Sequence, residues 1–593
     1  MLMSYEPSEL ELLAIKTVEE EFSLNKQFHS TFHERQRRYY NLVLNKVDED
    51  LVVEEGRSDI KTGVPHMLHE IPHSVLKDAL TSGVNVCKIK SPKSNGDLLY
   101  EAEIDDYLHH LFTDENIDIK SVVDDAIWDL VATGSAVPCA RWDVRHKRIF
   151  KEIEPFIDDN GKLQQGKREF DVVEGSYPTF DLRAPWDVFP SAGATSIKQC
   201  HEVIIRDEPF PHQLREWERQ GMVQNIDDLL ELVKANKAGV TVKENREDGD
   251  SGRAADTGKI EILIYWGLFP LYKYKEYIGD DGIDRSKDEV QCLIIKAKDY
   301  PIILHIGRNP FDCQEIPVFI GKYFRIPGQI WGEGIFSIGE KMLVHQERWF
   351  NLMQDCANAE IHRDIVIPDN VDEGEAAGSG VEKRYHVTEE AFIEGAYPKY
   401  LDRGPSILPE VYGQRDYLDR MIQEVTGVVD FVRGVQIGPE KTATEVMETS
   451  EKINARFKQR ALTVESTLLS PIFNWLINMV IQFGDDDEIK EYTGLEVNPF
   501  DQFDAMMPNK KYRVKLDGAI RAAENMANRQ TIQLLLTLAA NIQEPMPDEN
   551  GMMFKMNLQM LLYDLGKMSP LTDPNRYKLP IDSKVPLLQE MAG

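Results

Sequence analysis

The sequence predicts a mixed α+β fold, on three observations. Segments near the start carry apolar residues at 3- and 4-residue spacing, which puts them on one face of a helix. From Ala136 to Tyr323 the texture changes to short β-branched or alternating runs, the pattern of strands. From Ser337 onward helical spacing returns, in long segments separated by glycine- and proline-rich pieces.

In order, residues 7–46 read as a helix, with Leu10, Leu12, Leu13, Val18 and Phe22 on its apolar side. Its stretch 34–40, Glu-Arg-Gln-Arg-Arg-Tyr-Tyr, reads as a solvated face, with a subunit or DNA contact as the alternative. Residues 66–86 and 98–133 are also helical in pattern. Ile104, Leu108, Leu111 and Phe112 form one stripe, and Val122, Ala126, Leu130 and Val131 another. Val137–Trp142, Phe150–Pro155 and Arg168–Pro178 read as strands, with Asp159-Asn160-Gly161 as a hairpin turn. A helix is expected over 226–237, and an exposed, mobile loop over 238–258. Ile260–Tyr265, Val290–Ala297, Tyr300–Ile306 and Ile316–Tyr323 read as strands.

Ser337-Ile338-Gly339-Glu340 fits a capping box opening a helix to about Arg363. Residues 364–408 break the pattern and suggest a small strand-and-loop excursion, followed by a helix over about Leu408–Glu424. Thr426–Glu440 holds three glycines and Pro439, which rule out a regular helix. Thr442-Ala443-Thr444-Glu445 fits a second capping box. The helix it opens carries Ile453, Phe457, Ala461, Val464 and Leu468, with a kink expected at Pro471 and apolar residues on to Phe483. Tyr512–Leu516 reads as a strand, 519–543 and 551–566 as helices, and the tail from Ser569 as irregular.

The chain has 593 residues with 101 acids against 68 bases, a net charge of −33. Proteins that grip nucleic acid broadly do so by neutralising phosphate, so any DNA contact must be local or loose. Six cysteines without a CxxC pair argue for a reducing compartment. Met1–Phe22 lacks the basic and apolar regions of a secretory signal. The longest strongly apolar run is Ile472–Phe483, well short of the roughly 20 residues a bilayer needs, so a soluble protein without membrane partners is expected.

Motifs for chemistry are sparse. His69-Glu70-Ile71-Pro72-His73 matches the HExxH zinc-hydrolase pattern. Pro72 would remove a donor from the helix that pattern needs, so a loop or helix-start is the favoured reading. A metal-dependent hydrolase on His69, Glu70 and His73 stands as an alternative. No Gly-Lys pair is followed by Ser or Thr, and Gly332-Glu333-Gly334 lacks the third glycine of a dinucleotide loop. No catalytic residue, cofactor or metal ligand is expected. Lys452, Arg456 and Arg460 recur every fourth residue. They read either as an exposed helix face with ordinary ion pairs or as a stripe facing a subunit or DNA.

The order of pieces in 331–484 is a capped helix, a small β excursion, a helix, a glycine-rich loop and a long kinked helix. It resembles the portal (head-to-tail connector) proteins of tailed bacteriophages. Four phrases carry the same resemblance. They are Asp129–Trp142, Trp186-Asp187-Val188-Phe189-Pro190-Ser191-Ala192, Ile316-Pro317-Val318 through Trp331-Gly332-Glu333-Gly334 and Ser337, and Thr442-Ala443-Thr444-Glu445.

The resemblance implies a ring-forming portal fold. Residues 1–336 and 442–518 would form a mixed α/β wing, 337–363 and 408–425 two stem helices, and 364–407 a small β-containing clip. Residues 426–441 would form the tunnel loop and 519–593 a helical crown. It implies a ring, usually of twelve, at one capsid vertex of the virion, assembled in the host cytoplasm. That ring would hold double-stranded DNA loosely and without sequence preference. The implied protein partners are the terminase large subunit, the capsid protein and tail adaptors. Asp430, Phe431, Arg433, Val435 and Gln436 would face the channel. Asp372, Glu373, Glu375, Lys383 and Arg384 would belong to the clip's docking surface. Another phage structural or adaptor protein is the remaining alternative.

Overall fold

The computed structural model describes residues 5, 7–46, 58–81, 87–90, 99–114, 117–152, 156–157, 163–164, 167–235, 259–271, 288–361, 365–366, 389–393, 395, 399–400, 408–427, 456–503, 513–516, 546–547 and 553–554. In chain order α1 (Glu9–Val43), α2 (Val64–Thr81), β1 (Cys87–Lys90), α3 (Glu101–Thr113) and α4 (Ile119–Thr133) come first. A long hairpin follows, of β2 (Ser135–Glu152) and β5 (Lys167–Arg183), extended by the pair β3 (Phe156–Ile157) and β4 (Leu163–Gln164). Next are β6 (Val188–Pro190), β7 (Glu202–Asp207), α5 (Pro211–Arg219), α6 (Ile226–Ala235), β8 (Ile262–Phe269), β9 (Val290–Ala297) and β10 (Ile303–Arg308). The second half holds β11 (Gly321–Lys322), α7 (Ile335–Ile361), β12 (Ile365–Val366), α8 (Glu389–Ile393), β13 (Lys399–Tyr400) and α9 (Leu408–Thr426). It continues with α10 (Arg456–Phe483), α11 (Asp486–Thr493), β14 (Arg513–Leu516), β15 (Met546–Pro547) and β16 (Met553–Phe554).

Strands β10-β9-β8-β7-β6 make one antiparallel sheet, and alternation sends its side chains to two different layers. Leu263, Tyr265, Phe269, Cys292, Ile294 and Ile303 pack on Leu10, Ala14, Ile15 and Val18 of α1. Ile262, Ile295, Ala297 and Leu304 pack on Leu214, Ile226, Leu229 and Leu230 of α5 and α6. Buried Lys296 reaches Glu19 of α1 at 2.7 Å, a charge pair across the same layer.

Helix α1 starts from a capping box. Ser8 Oγ accepts from the Glu11 amide, and Glu11 accepts from the Ser8 amide at 2.7 Å. Beyond the sheet its inward face turns polar. Asn25 bonds Glu202 and the Ala192 amide, at 3.0 and 2.9 Å. Trp331 Nε1 donates to His29 Nδ1 at 3.1 Å, so His29 Nε2 carries the proton and donates to the Pro190 carbonyl. The turn after β6 closes on Ser191, whose Oγ accepts from the His201 and Glu202 amides. Leu12 departs from expectation, being 53% exposed, because the stripe that meets the sheet runs through Leu10, Ala14 and Val18 instead. The stretch 34–40 is solvated on one side, where Glu34, Arg35 and Arg38 are exposed, and packed on the other. Gln36 and Tyr39 are buried, Arg35 and Arg37 lie over Phe32 and Trp186, and Arg38 pairs with Glu340 of α7.

The main core joins α2, α3, α4 and α10. Helix α10 is long and apolar enough to cross a bilayer, with mean hydropathy 1.3. Most of its apolar residues, from Ala461 and Val464 through Phe473 to Val480, are instead buried in that core. It runs on through Pro471. The turn Glu465–Leu469 just before is a π-helix, which widens the backbone where the proline ring would meet the preceding turn.

The tightest backbone contact lies where α4 turns into β2. Gly134 has φ +90°, and a Cβ there would fall 2.2 Å from the Gly334 amide nitrogen. A Cβ on Gly332 would fall 2.4 Å from the Gly134 carbonyl. Ser135 Oγ accepts from the Gly332 amide at 2.9 Å, and the Tyr323 amide donates to the Gly134 carbonyl at 3.1 Å. Only glycine allows so close a crossing.

Other expectations shift. The span 98–133 is two helices, because Asp114 turns extended after Thr113 and the second helix starts only past Asp118, at φ +61°. The strands expected at 137–142 and 150–155 are one strand, β2, with a bulge between Arg145 and His146. Of Ile316–Tyr323 only Gly321–Lys322 form a regular strand, with a single bridge at Val318, since Pro317 has no N–H to pair. The helix expected from Ser337 starts at Ile335, and Ser337 Oγ donates to the Gly334 carbonyl at 2.8 Å instead of capping. The helix expected from 551 does not start there, because Met553–Phe554 pair as a strand with Met546–Pro547. The loop 238–258, the 442–445 capping box, the helix 519–543 and the tail from Ser569 lie outside the described residues.

Two outcomes follow. Gly134→Ala adds a strained φ to a backbone overlap and is expected to cost about 3 kcal/mol or more. Gly193→Ala, at φ +79° with open space around it, should cost only about 1–2 kcal/mol. Denaturant midpoints measure both, and equal losses would contradict the close crossing. Burial pushes His29 down, and holds His33 at about 3 and His69 at about 4. The unfolded chain therefore takes up protons first. Stability from these groups is full above about pH 6.5 and is lost as pH falls toward the folded values. The melting temperature should drop between about pH 7 and about pH 4.5, and less steeply in His33→Gln.

Candidate functional site

Helix α9 ends at Thr426, and Gly427 turns out of it with φ +77°, its amide bonded to the Gln423 carbonyl at 2.9 Å. This is a left-handed helix stop that glycine supplies without strain. Helix α10 begins at Arg456, and residues 428–455 between them lie outside the described residues. Arg460 holds the two ends together. Its guanidinium donates to the Tyr323 hydroxyl at 3.0 Å and to the Thr426 carbonyl at 3.4 Å. It lies over Phe324, Tyr323 and Phe457, with ring centroids 4.8, 5.3 and 5.4 Å away. A delocalised cation stacks on aromatic faces and suits the negative end of a helix. Burial pushes the Tyr323 hydroxyl up, and Arg460 opposes that. Arg456 reaches the Glu424 carbonyl at 3.2 Å from the surface. An open cleft of about 750 Å³ lies here, lined by Phe324, Arg325, Ile338, Glu424, Arg456 and Arg460.

Helices α7 and α9 form an antiparallel pair. Gly339 of α7 lies by Thr426 of α9, Gln346 bonds Asp419, and Phe350 lies under Arg415 at 5.4 Å. Numbers rise on one helix as they fall on the other. Buried Leu343, Met353, Val411 and Ile422 fill the seam. The excursion between the helices begins and ends on paired strands, Ile365 opposite Tyr400 and Val366 opposite Lys399.

The expected channel residues Asp430, Phe431, Arg433, Val435 and Gln436 lie outside the described residues, as do Asp372, Glu373, Glu375, Lys383, Arg384 and Lys452. Of the basic row, Arg456 is exposed, but Arg460 is only 8% exposed. The row is therefore neither a solvated face nor a continuous stripe, because Arg460 is turned inward onto three rings. The HExxH segment is neither a loop nor a helix start but the middle of α2. Buried Leu68, Leu76 and Leu80 hold the helix across Pro72. His69 Nε2 meets the Trp128 carbonyl at 3.0 Å, and His73 Nε2 meets Asp124 at 3.2 Å, while Glu70 is exposed. The two histidines join α2 to α4. Among the described residues no cluster of three His, Cys, Asp or Glu is placed to hold a metal.

The family model described as Phage SU10 portal protein matches residues 158–591, nearly three quarters of the chain. The chain belongs to the phage SU10 portal protein family. The portal resemblance and the α+β class read from the sequence both hold. Portal proteins are a structural family of bacteriophage head-to-tail connectors with a role in DNA packaging, and are components of the virion capsid. The match opens in the turn of the β2–β5 hairpin, so α1 to α4 and β2 precede it. No curated protein matches the chain. Sequence reasoning missed Tyr323, Phe324 and Arg325 as parts of this portal junction. The signal available was the aromatic pair just before Trp331-Gly332-Glu333-Gly334.

Arg460→Lys keeps the charge but loses the planar fork, and is expected to destabilise by about 1–3 kcal/mol. Arg456→Ala should cost no more than about 1 kcal/mol. Thermal melts of the two variants check this, and equal losses would contradict the buried role of Arg460.

Proposed function

We propose that this chain is the subunit of a closed ring, twelve to a ring, at one capsid vertex. Double-stranded DNA passes through the ring during packaging and ejection. The observation that carries the reading is the antiparallel α7–α9 pair, which leaves the core at residue 335, makes an excursion that returns on itself at β12–β13, and comes back to Gly427. In this reading α7 and α9 are the stem, 364–407 the clip and 426–441 the tunnel loop. Residues 1–336 and 442–518 are the wing, and 519–593 the crown. Asp430, Phe431, Arg433, Val435 and Gln436 face the channel. The terminase large subunit and then tail adaptors dock on the clip, through Asp372, Glu373, Glu375, Lys383 and Arg384, and capsid protein surrounds the wing. Assembly takes place in the host cytoplasm.

Charge supports a conduit rather than a grip. Twelve chains of −33 carry about −400. Such a ring repels phosphate over most of its surface and lets DNA slide in both directions. Native mass measurement of purified protein is expected to give a discrete closed oligomer near twelve chains. Deletion of Val429–Gly438 should leave that mass unchanged while DNA packaging or retention fails. A monomeric wild type would sink the reading, and loss of the ring on deletion would make the loop an assembly element.

A further inference from the structure

The cleft between α9 and α10 concentrates cations in an acidic chain. Arg325 is exposed on its rim, with no hydrogen bond or ion pair among the described residues. Arg456 is exposed beside it. Burial, and after it the neighbouring Arg325 charge, push the Lys322 ammonium down. The same cleft shows Phe324 and the 48% exposed Ile338. A lining of arginine, aromatic and aliphatic groups, with Glu424 the one acid among its described residues, suits a protein segment better than a sugar–phosphate backbone.

The complement lies on the same chain. Asp485, Asp486, Asp487 and Glu488 are four consecutive exposed acids. Asp485 caps α11 and Asp486 accepts from Asn498 at 2.6 Å. The Asp487 carboxylate has no partner among the described residues. Burial and the Asp485 charge push the Glu488 carboxyl up, against an opposing pull from His110. Yet it cannot reach its own cleft. The cleft is built on the first two turns of α10, and the run starts just past the other end of that 28-residue helix, about 40 Å away. Two complementary patches at opposite ends of one rigid element make a head-to-tail contact, which propagates from copy to copy and closes when the rotation allows.

We infer that the cleft formed by Arg325, Ile338 and Arg456 receives the acidic run 485–488 of a neighbouring copy of this chain. The inference rests on the ring reading above. It adds a cationic latch that turns like-charge repulsion between subunits into local attraction.

A charge-swap cycle on the full chain tests it. Arg325→Glu, Asp487→Arg and the double variant are compared with wild type by native mass and sedimentation across a sodium chloride series. Circular dichroism confirms that each is folded, as expected for exposed side chains. Each single variant is expected to lower the salt concentration at which the ring comes apart by about twofold or more, and the double to recover most of that loss. Single variants as salt-resistant as wild type would overturn the inference while leaving the ring reading intact. So would a double variant no better than the two losses combined, or variants that assemble normally but lose DNA retention. Wild-type chains that stay monomeric would overturn both.

Discussion

The fold depends on one backbone crossing. Gly134, at the corner between α4 and β2, lies against residues 332–334 so closely that no side chain fits between them. Ser135 and Tyr323 add hydrogen bonds across the same crossing. The contact ties the helical core to the segment that opens α7, which starts at the next residue, Ile335. It therefore fixes where the α7–α9 pair leaves the body. It also explains why two of the phrases that carry the portal resemblance hold glycine where they touch, Gly134 in one and Gly332 and Gly334 in the other.

From that root a few buried or half-buried cations distribute the rest. Lys296 binds α1 to the five-stranded sheet through Glu19. Arg183 pairs with Asp207 at 2.7 Å, joining the β2–β5 hairpin to β7. Arg206 pairs with Asp187 and lies near Glu261. Arg460 joins α9, α10 and the 323–324 segment. Breaking such a pair strands a buried charge, so each acts as a positional lock.

Much of the fold was legible because it is local. The spacing of β9 and α9 could be read from adjacent residues. What was not legible depends on distant partners. Arg460 looked solvated because its neighbours in sequence are charged, and the groups that bury it, Tyr323 and Phe324, are more than 130 residues away. Ser337 looked like a cap because it has a glutamate three residues on, but Gly334 lets the helix start earlier. Pro72 argued against a helix that tertiary packing of Leu68, Leu76 and Leu80 nevertheless holds. The family itself was readable from phrase order, since a chain that must leave and re-enter one core repeats the same sequence of turns. The channel and clip residues rested on that resemblance alone.

The most direct test is a reconstruction of the assembled particle by electron cryo-microscopy. The account predicts α7–α9 pairs arranged around a central hole of duplex width, each rooted in its own subunit at the Gly134–Gly334 crossing. Pairs that point away from the axis, or a crossing that is open in the assembled particle, would contradict it.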